Sequence, residues 1–153
     1  MQRRKFLSLS ALTGLAVVAP LSLEAVDFRQ TKADAWTAHT VDDAVKSLYG
    51  GQTPVQTGVT VTTQDLATNS ASVSVNIKSD IDAKSVAIFQ DANPESAVAA
   101  FTVHKSSIID YDFNIKLRSN GTPITITAIV EGVDGKFYSG TKTLKVALGT
   151  CDG

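Results

Sequence analysis

From Val59 onward the chain alternates. Val59 and Val61 are interleaved with threonines, and Val73, Val75 and Ile77 with Ser74, Asn76 and Lys78. Val86, Ile88, Phe101, Val103, Phe113, Ile115 and Leu117 continue the theme. Ile124, Ile126 and the run to Val130 make a longer segment, and Phe137, Leu144, Val146 and Leu148 close it. Successive side chains of a strand point to opposite faces, so this period of two predicts half-buried strands. The β-branched residues that dominate the second half suit a pleated surface. About seven or eight short strands, with turn signals at regular spacing, predict a β-sandwich or barrel. Asn120-Gly121 and Asp134-Gly135 supply the positive φ that tight hairpins demand, and Asn93-Pro94 marks a further turn.

Ahead of the strands the pattern is helical. Val41, Ala44, Val45 and Leu48 fall on one face, Thr40 with Asp43 resembles a capping box, and Gly50-Gly51 stops the run. One helix over 41–49 is expected. Residues 26–39 show no period and read as poorly ordered.

The first 25 residues read as an export signal. Arg3, Arg4 and Lys5 precede an uncharged stretch from Phe6 to Leu23, and Leu23-Glu24-Ala25 offers a cleavage site. The stretch approaches the length of a membrane span. Its dilution by Ser8, Ser10, Thr13 and Gly14, and its interruption by Pro20, favour a cleaved leader, so no membrane anchor is expected in the mature form. Arg3-Arg4-Lys5-Phe6-Leu7 resembles the twin-arginine consensus, departing from it at Gln2 and Ser8, which implies a periplasmic destination.

Several function classes find no support. Lys and Arg number 14 against 15 Asp and Glu, with no basic stripe and 7% aromatics, so no nucleic-acid partner is expected. No Gly-rich loop opens a helix after a strand. His39 and His104 are the only histidines and lie far apart, so no metal is expected and both read as surface or packing residues. Asp80, Asp82, Asp110 and Asp112 read as turn and edge-strand charges.

Cys151 remains, the only cysteine, in the ending Gly149-Thr150-Cys151-Asp152-Gly153. A leftover thiol in an exported chain is a flag for chemistry. The strand pattern stops at Leu148, and Gly149 frees the backbone, so a short exposed arm is expected. Such an arm suits delivery of a covalently held group. Asp152 and the terminal carboxylate disfavour the thiolate and repel anions, so loading is expected to need an enzyme. Two other readings stay open. One is a plain structural or partner module with an incidental or disulfide-forming thiol, and the other is a thiol enzyme pairing Cys151 with His104.

In order along the chain stand the twin-arginine start, a helix ending Leu48-Tyr49-Gly50-Gly51, Asn93-Pro94 before Phe101-Thr102-Val103, Asp134-Gly135-Lys136-Phe137-Tyr138, and Lys145-Val146 leading to the terminal cysteine. Together these resemble the SoxY family, the sulfur-carrier subunit of the periplasmic thiosulfate-oxidising system. The resemblance implies an all-β, immunoglobulin-like antiparallel sandwich with a short N-terminal helix and a flexible C-terminal arm. Its parts would be a leader at 1–25, a helical segment at 26–55, the sandwich at 56–148 and the arm at 149–153. It implies no resident cofactor beyond thiosulfate or sulfane sulfur on Cys151, and no catalysis by the chain itself. It implies a SoxZ-like partner in a heterodimer, and transient contact with SoxAX for loading, SoxB for sulfate release and SoxCD for oxidation of the remaining sulfur. The family arm is usually Gly-Gly-Cys-Gly-Gly. Thr150 and Asp152 depart from it, adding bulk and charge, which implies a narrower set of enzymes that accept this arm.

Overall fold

The computed structural model describes residues 25–118 and 121–147. The alternating segments fold as eight strands: β1 (Val59–Thr63), β2 (Leu66–Ala67), β3 (Val73–Ser79), β4 (Ala83–Gln90), β5 (Ala97–Thr102), β6 (Ile109–Ile115), β7 (Ile124–Gly132) and β8 (Phe137–Val146). They form a three-stranded sheet ordered β1-β3-β6 and a five-stranded sheet ordered β2-β8-β7-β4-β5. All pairings between named strands are antiparallel except β2 with β8. The inward residues meet in one core, with Val73, Val75 and Ile77 opposing Val86, Ile88, Ile126, Ala128, Val130 and Leu144. Burial of these side chains is the main force holding the sheets together, since the only cysteine has no internal partner.

The larger sheet has a second apolar face. Ala87, Phe89 and Ile129 point outward from it, against Ala44 and Leu48 of the helix. That is why β4 reads as a nearly continuous apolar run while β3 alternates. The helix spans Val41–Tyr49, as its spacing predicts. Thr40 caps it through Asp43 N–H at 3.1 Å, and the Thr40 hydroxyl donates to the Asp43 carboxylate at 2.7 Å. Gly50 ends it at φ 77°, where a side chain would be strained.

Two expectations need correction. Residues 28–36 are folded: α1 (Phe28–Thr31) and a 3₁₀ turn (Ala33–Trp36) precede the longer helix, α2 (Val41–Tyr49). Asp27 caps α1, Trp36 Nε1 donates to Phe28 O at 3.1 Å, and Arg29 lies 4.3 Å over the Trp36 ring. Phe28 and Ala35 are buried against the outer face of the sheet. This order comes from tertiary burial of a few large side chains, which elements of one turn cannot signal as a period. The second correction concerns Asn120-Gly121. It joins no hairpin, because β6 and β7 belong to different sheets. The chain crosses there from one layer to the other, with Gly121 at φ 77°; Asn120 lies outside the described residues. Asp134-Gly135 does close the β7–β8 hairpin, with Gly135 at φ 78°, and Asn93-Pro94 lies in the connection between the paired strands β4 and β5.

The segment from Val55 to Ala67 runs along the outer edge of β8. Val55 bridges Tyr138 in parallel, β1 then crosses to the other sheet over Gly140, and β2 returns to pair with the end of β8. An unpaired strand edge invites association with other chains. Here the edge of the last strand is covered twice.

Candidate functional site at the root of the C-terminal arm

Cys151 and the arm residues Gly149, Thr150, Asp152 and Gly153 lie outside the described residues, as do Arg3 and Arg4 of the leader. What is described is the root from which the arm departs. Leu144 and Val146 insert into the core, 1% and 5% exposed, and so fix the last turn of alternation in β8. On one side β2 holds the strand: Asp65 O accepts Lys145 N–H at 2.9 Å and Ala67 O accepts Ala147 N–H at 2.8 Å. The Lys142 ammonium reaches the Asp65 carboxylate at 2.6 Å, and this hydrogen bond holds that carboxyl below its usual range. On the other side Ile124 of β7 pairs with Leu144.

Three connections gather at this end of the sandwich. Gln90, fully buried, accepts from Ala92 and Asn93 N–H at 2.6 and 2.7 Å and donates to Glu95 O at 2.7 Å, which shapes the β4–β5 loop. Asn93 then takes hold of the β6–β7 crossover, donating to Lys116 O and accepting from Arg118 N–H, both at 2.8 Å. Leu117, 1% exposed, is held from the far side by Ser70 O at 2.9 Å. These bonds tie the β4–β5 loop, the β6–β7 crossover and the segment around Ser70 into one collar at the end of the sandwich where β8 finishes. Cys151 is four residues beyond Ala147, which allows a reach of about 13 Å. Exposed Arg118 and Lys145 lie on this collar beside the exposed carboxylates of Asp65, Asp91 and Glu95. Sequence reasoning missed the collar. Asn93-Pro94 reads only as a turn, and a two-residue strand such as β2 has no period to detect.

The histidines are separated from one another. His39 Nδ1 donates to Pro94 O at 2.8 Å, beside α2. His104 follows β5 at the other end of the sandwich, its Nδ1 accepting from Ser106 N–H at 3.3 Å. His104 thus stands at the end of the sheet opposite Ala147. Asp110 and Asp112 accept from Asn76 Nδ2, both at 2.9 Å, and Asp110 also meets Lys78 at 3.1 Å. They are cross-strand partners on an exposed face. Among the described residues no cluster of three His, Cys, Asp or Glu side chains is placed to hold a metal. Among the same residues no helix is long and apolar enough to cross a membrane.

A second polar network lies at the far end. Tyr49 Oη sits 3.2 Å from Ser85 Oγ, which donates to Glu131 Oε2 at 2.8 Å. Burial pushes the Tyr49 phenol up to about 12; the hydrogen bond it shares with Ser85 pulls the other way and the charge of Glu131 adds to the rise. Tyr49 also packs on Phe137, ring centroids 4.8 Å apart. This network fastens the end of α2 to the sheet.

The family model for "Sulfur oxidation protein SoxY" matches residues 45–151, from inside α2 to the cysteine itself. Sandwich, covering helix and this match together define a β-sandwich protein of sulfur oxidation. More narrowly, the chain belongs to the SoxY family. Among solved structures it is similar to the sulfur carrier protein SoxY from Chlorobium limicola f thiosulfatophilum, with a TM-score of 0.63 and 23% identity over 76% of this chain and 99% of that one. It is also similar to the superoxide reductase (neelaredoxin) from Ignicoccus hospitalis, with a TM-score of 0.50 and 12% identity over 60% of this chain and 81% of that one. These likenesses establish the immunoglobulin-like sandwich. That proteins of such different names share it shows that function resides in what is grafted onto the fold. No curated protein matches the chain in sequence.

Proposed function

We propose that this chain is the sulfur carrier of a periplasmic thiosulfate-oxidising (Sox) system, and that it holds its cargo covalently on Cys151. One observation carries the reading: the SoxY match extends over 45–151 and ends on the chain's only cysteine. The root geometry supports it, because the sandwich is pinned as far as Ala147 and the sulfur lies a short tether beyond. Residues 1–25 serve as a twin-arginine leader, with Arg3 and Arg4 as its recognition pair, and 149–153 serve as the arm.

Loading joins the Cys151 thiol to thiosulfate as a cysteine S-thiosulfonate. The S–S bond forms with loss of one proton and two electrons, so an oxidising partner is required, the role of a haem-containing SoxAX. Water then cleaves the S–sulfonate bond, releasing sulfate and a proton and leaving a persulfide, the role of SoxB. A SoxCD enzyme oxidises the remaining sulfane sulfur where the arm is accepted. The chain contributes the nucleophile and the tether, and a SoxZ-like subunit accompanies it as a heterodimer. It performs none of the catalytic steps itself.

The test is intact mass and genetics together. Protein purified from its native host should carry added sulfur or S-sulfonate on Cys151. A Cys151→Ser variant should keep the wild-type urea midpoint and abolish thiosulfate-dependent respiration. Full respiration by that variant would overturn the reading.

A further inference from the structure

An open cavity of about 530 Å³ lies on the outer face of the five-stranded sheet, between the N-terminus of α2 and the end from which the arm departs. His39 and Asp42 line one wall; Asp91, Ser96, Thr125 and Thr127 line the other. Thr125 pairs with Thr143, four residues before Ala147, so the cavity is about 13 Å along the strand from the arm root.

Its formal charge is of one sign, since Asp42 and Asp91 line it and no Lys or Arg does. The Ser96 hydroxyl is buried and has no hydrogen-bond partner, while the Ser96 backbone is satisfied at both ends, by Ala38 O and by Gln90 N–H, each at 2.9 Å. Asp91 spends Oδ1 on Thr125 N–H at 2.8 Å and keeps its second oxygen. A carbonyl can only accept, so His39 must place its proton on Nδ1 to bond Pro94 O at 2.8 Å, which leaves Nε2 as an acceptor. The cavity thus presents two carboxylates, an imidazole nitrogen and the hydroxyls of Thr40, Ser96, Thr125 and Thr127; that of Thr40 is spent on Asp43, and that of Ser96 is buried and unpaired. An anion is disfavoured there, and so is the end of the arm, with Asp152 and the terminal carboxylate. The complement is a cation rich in donors and free of acceptors. Guanidinium, with five N–H groups in a planar fork, meets dispersed acceptors better than a compact ammonium does.

We propose that this cavity receives an arginine side chain of a protein that takes up the arm, and so orients the carrier beside its client. The reason for a client to dock at this end rests on the carrier reading, but the arginine site is testable without any sulfur chemistry. The probe is the peptide acetyl-Gly-Arg-Gly-amide, titrated into the ¹⁵N-labelled full chain. The expected result is saturable shifts of the Asp91, Ser96, Thr125 and Thr127 amides. The citrulline peptide, equal in shape but uncharged, should give none. Asp91→Asn can keep the bond to Thr125 N–H through its amide oxygen and should weaken binding by about threefold or more. Ser96→Ala loses no internal hydrogen bond, so it should fold with unchanged stability yet bind the peptide more weakly. A Cys151→Ser chain should bind it normally, which separates failure of this proposal from failure of the carrier reading. Equal shifts with arginine and citrulline peptides, or arginine binding untouched by both cavity variants, would overturn the proposal.

Discussion

Ala147 donates its amide hydrogen to the carbonyl of Ala67 at 2.8 Å, and this bond holds the chain one residue past the end of β8. Together with the bond from Lys145 to Asp65 it makes β2, only two residues long, the clamp of the root. Ala147→Pro removes the donor without opposing the extended backbone of Val146. One partly exposed hydrogen bond is worth about 1 kcal/mol, so the urea midpoint should fall only slightly. Hydrogen exchange at Lys145 should accelerate severalfold while Ile126 and Ile129 remain protected. Unchanged protection at Lys145 would show that β2 does not clamp the arm.

At Gly140 of β8 the backbone of Val59 passes close overhead. A Cβ built on Gly140 would overlap the Val59 carbonyl oxygen and lie 2.8 Å from its carbonyl carbon. The obstacle is backbone, which cannot rotate away. Gly140→Ala should therefore destabilise by about 3 kcal/mol, measured as a lowered urea midpoint. Its damage should appear first as lost protection in β1, where the crossing strand must lift.

Alkaline pH should reach the fold through Tyr49. Its phenol titrates near 12 when folded and at the ordinary 10.0 when unfolded. The folded chain thus holds a proton that the unfolded chain has released. Stability linked to this group is complete below pH 10 and drains away as pH climbs toward 12. Tyrosinate absorbance from Tyr49 should rise only together with unfolding. Tyr49→Phe keeps the packing on Phe137 and leaves Ser85 bonded to Glu131, so it should move the alkaline transition to higher pH. An alkaline midpoint identical to wild type would refute this assignment.

The strands other than β2, together with α2 and the Asp134-Gly135 hairpin, were legible because each leaves a periodic or turn signal in the sequence. Val73, Val75 and Ile77 face the core just as their alternation states. The region around Phe28 was not legible, because α1 is a single turn held by Trp36 and the sheet rather than by its own pattern. Asn120-Gly121 misled for a different reason. A positive-φ pair marks a reversal, but whether the chain returns beside itself or crosses to the facing sheet depends on which strands have already paired. Of the candidate site, Cys151 was visible as the one unpaired thiol. The collar built by Gln90, Asn93 and Ser70 was not, since the bonds that close it, from Asn93 to Lys116 and from Leu117 to Ser70, link segments more than 20 residues apart in the chain.

With residues 149–153 as the proposed arm, Thr150 and Asp152 depart from the glycine-rich form that the resemblance implies, and the difference has an electrostatic consequence that is open to measurement. Asp152 is covalently next to Cys151, which places its carboxylate about 7 Å from the sulfur in an extended chain. At that distance in water two unit charges interact by about 0.6 kcal/mol, cut to roughly half by physiological salt. Asp152→Asn should therefore raise the rate of Cys151 alkylation by a neutral iodoacetamide about 1.5-fold through a larger thiolate fraction. With iodoacetate the gain should be larger, about twofold, because the reagent's own repulsion is relieved as well. Added salt should erase the difference between the two reagents. Equal gains for the charged and neutral reagents at low salt would mean that the carboxylate does not face the sulfur, and that the acidic arm is tuned by something other than charge.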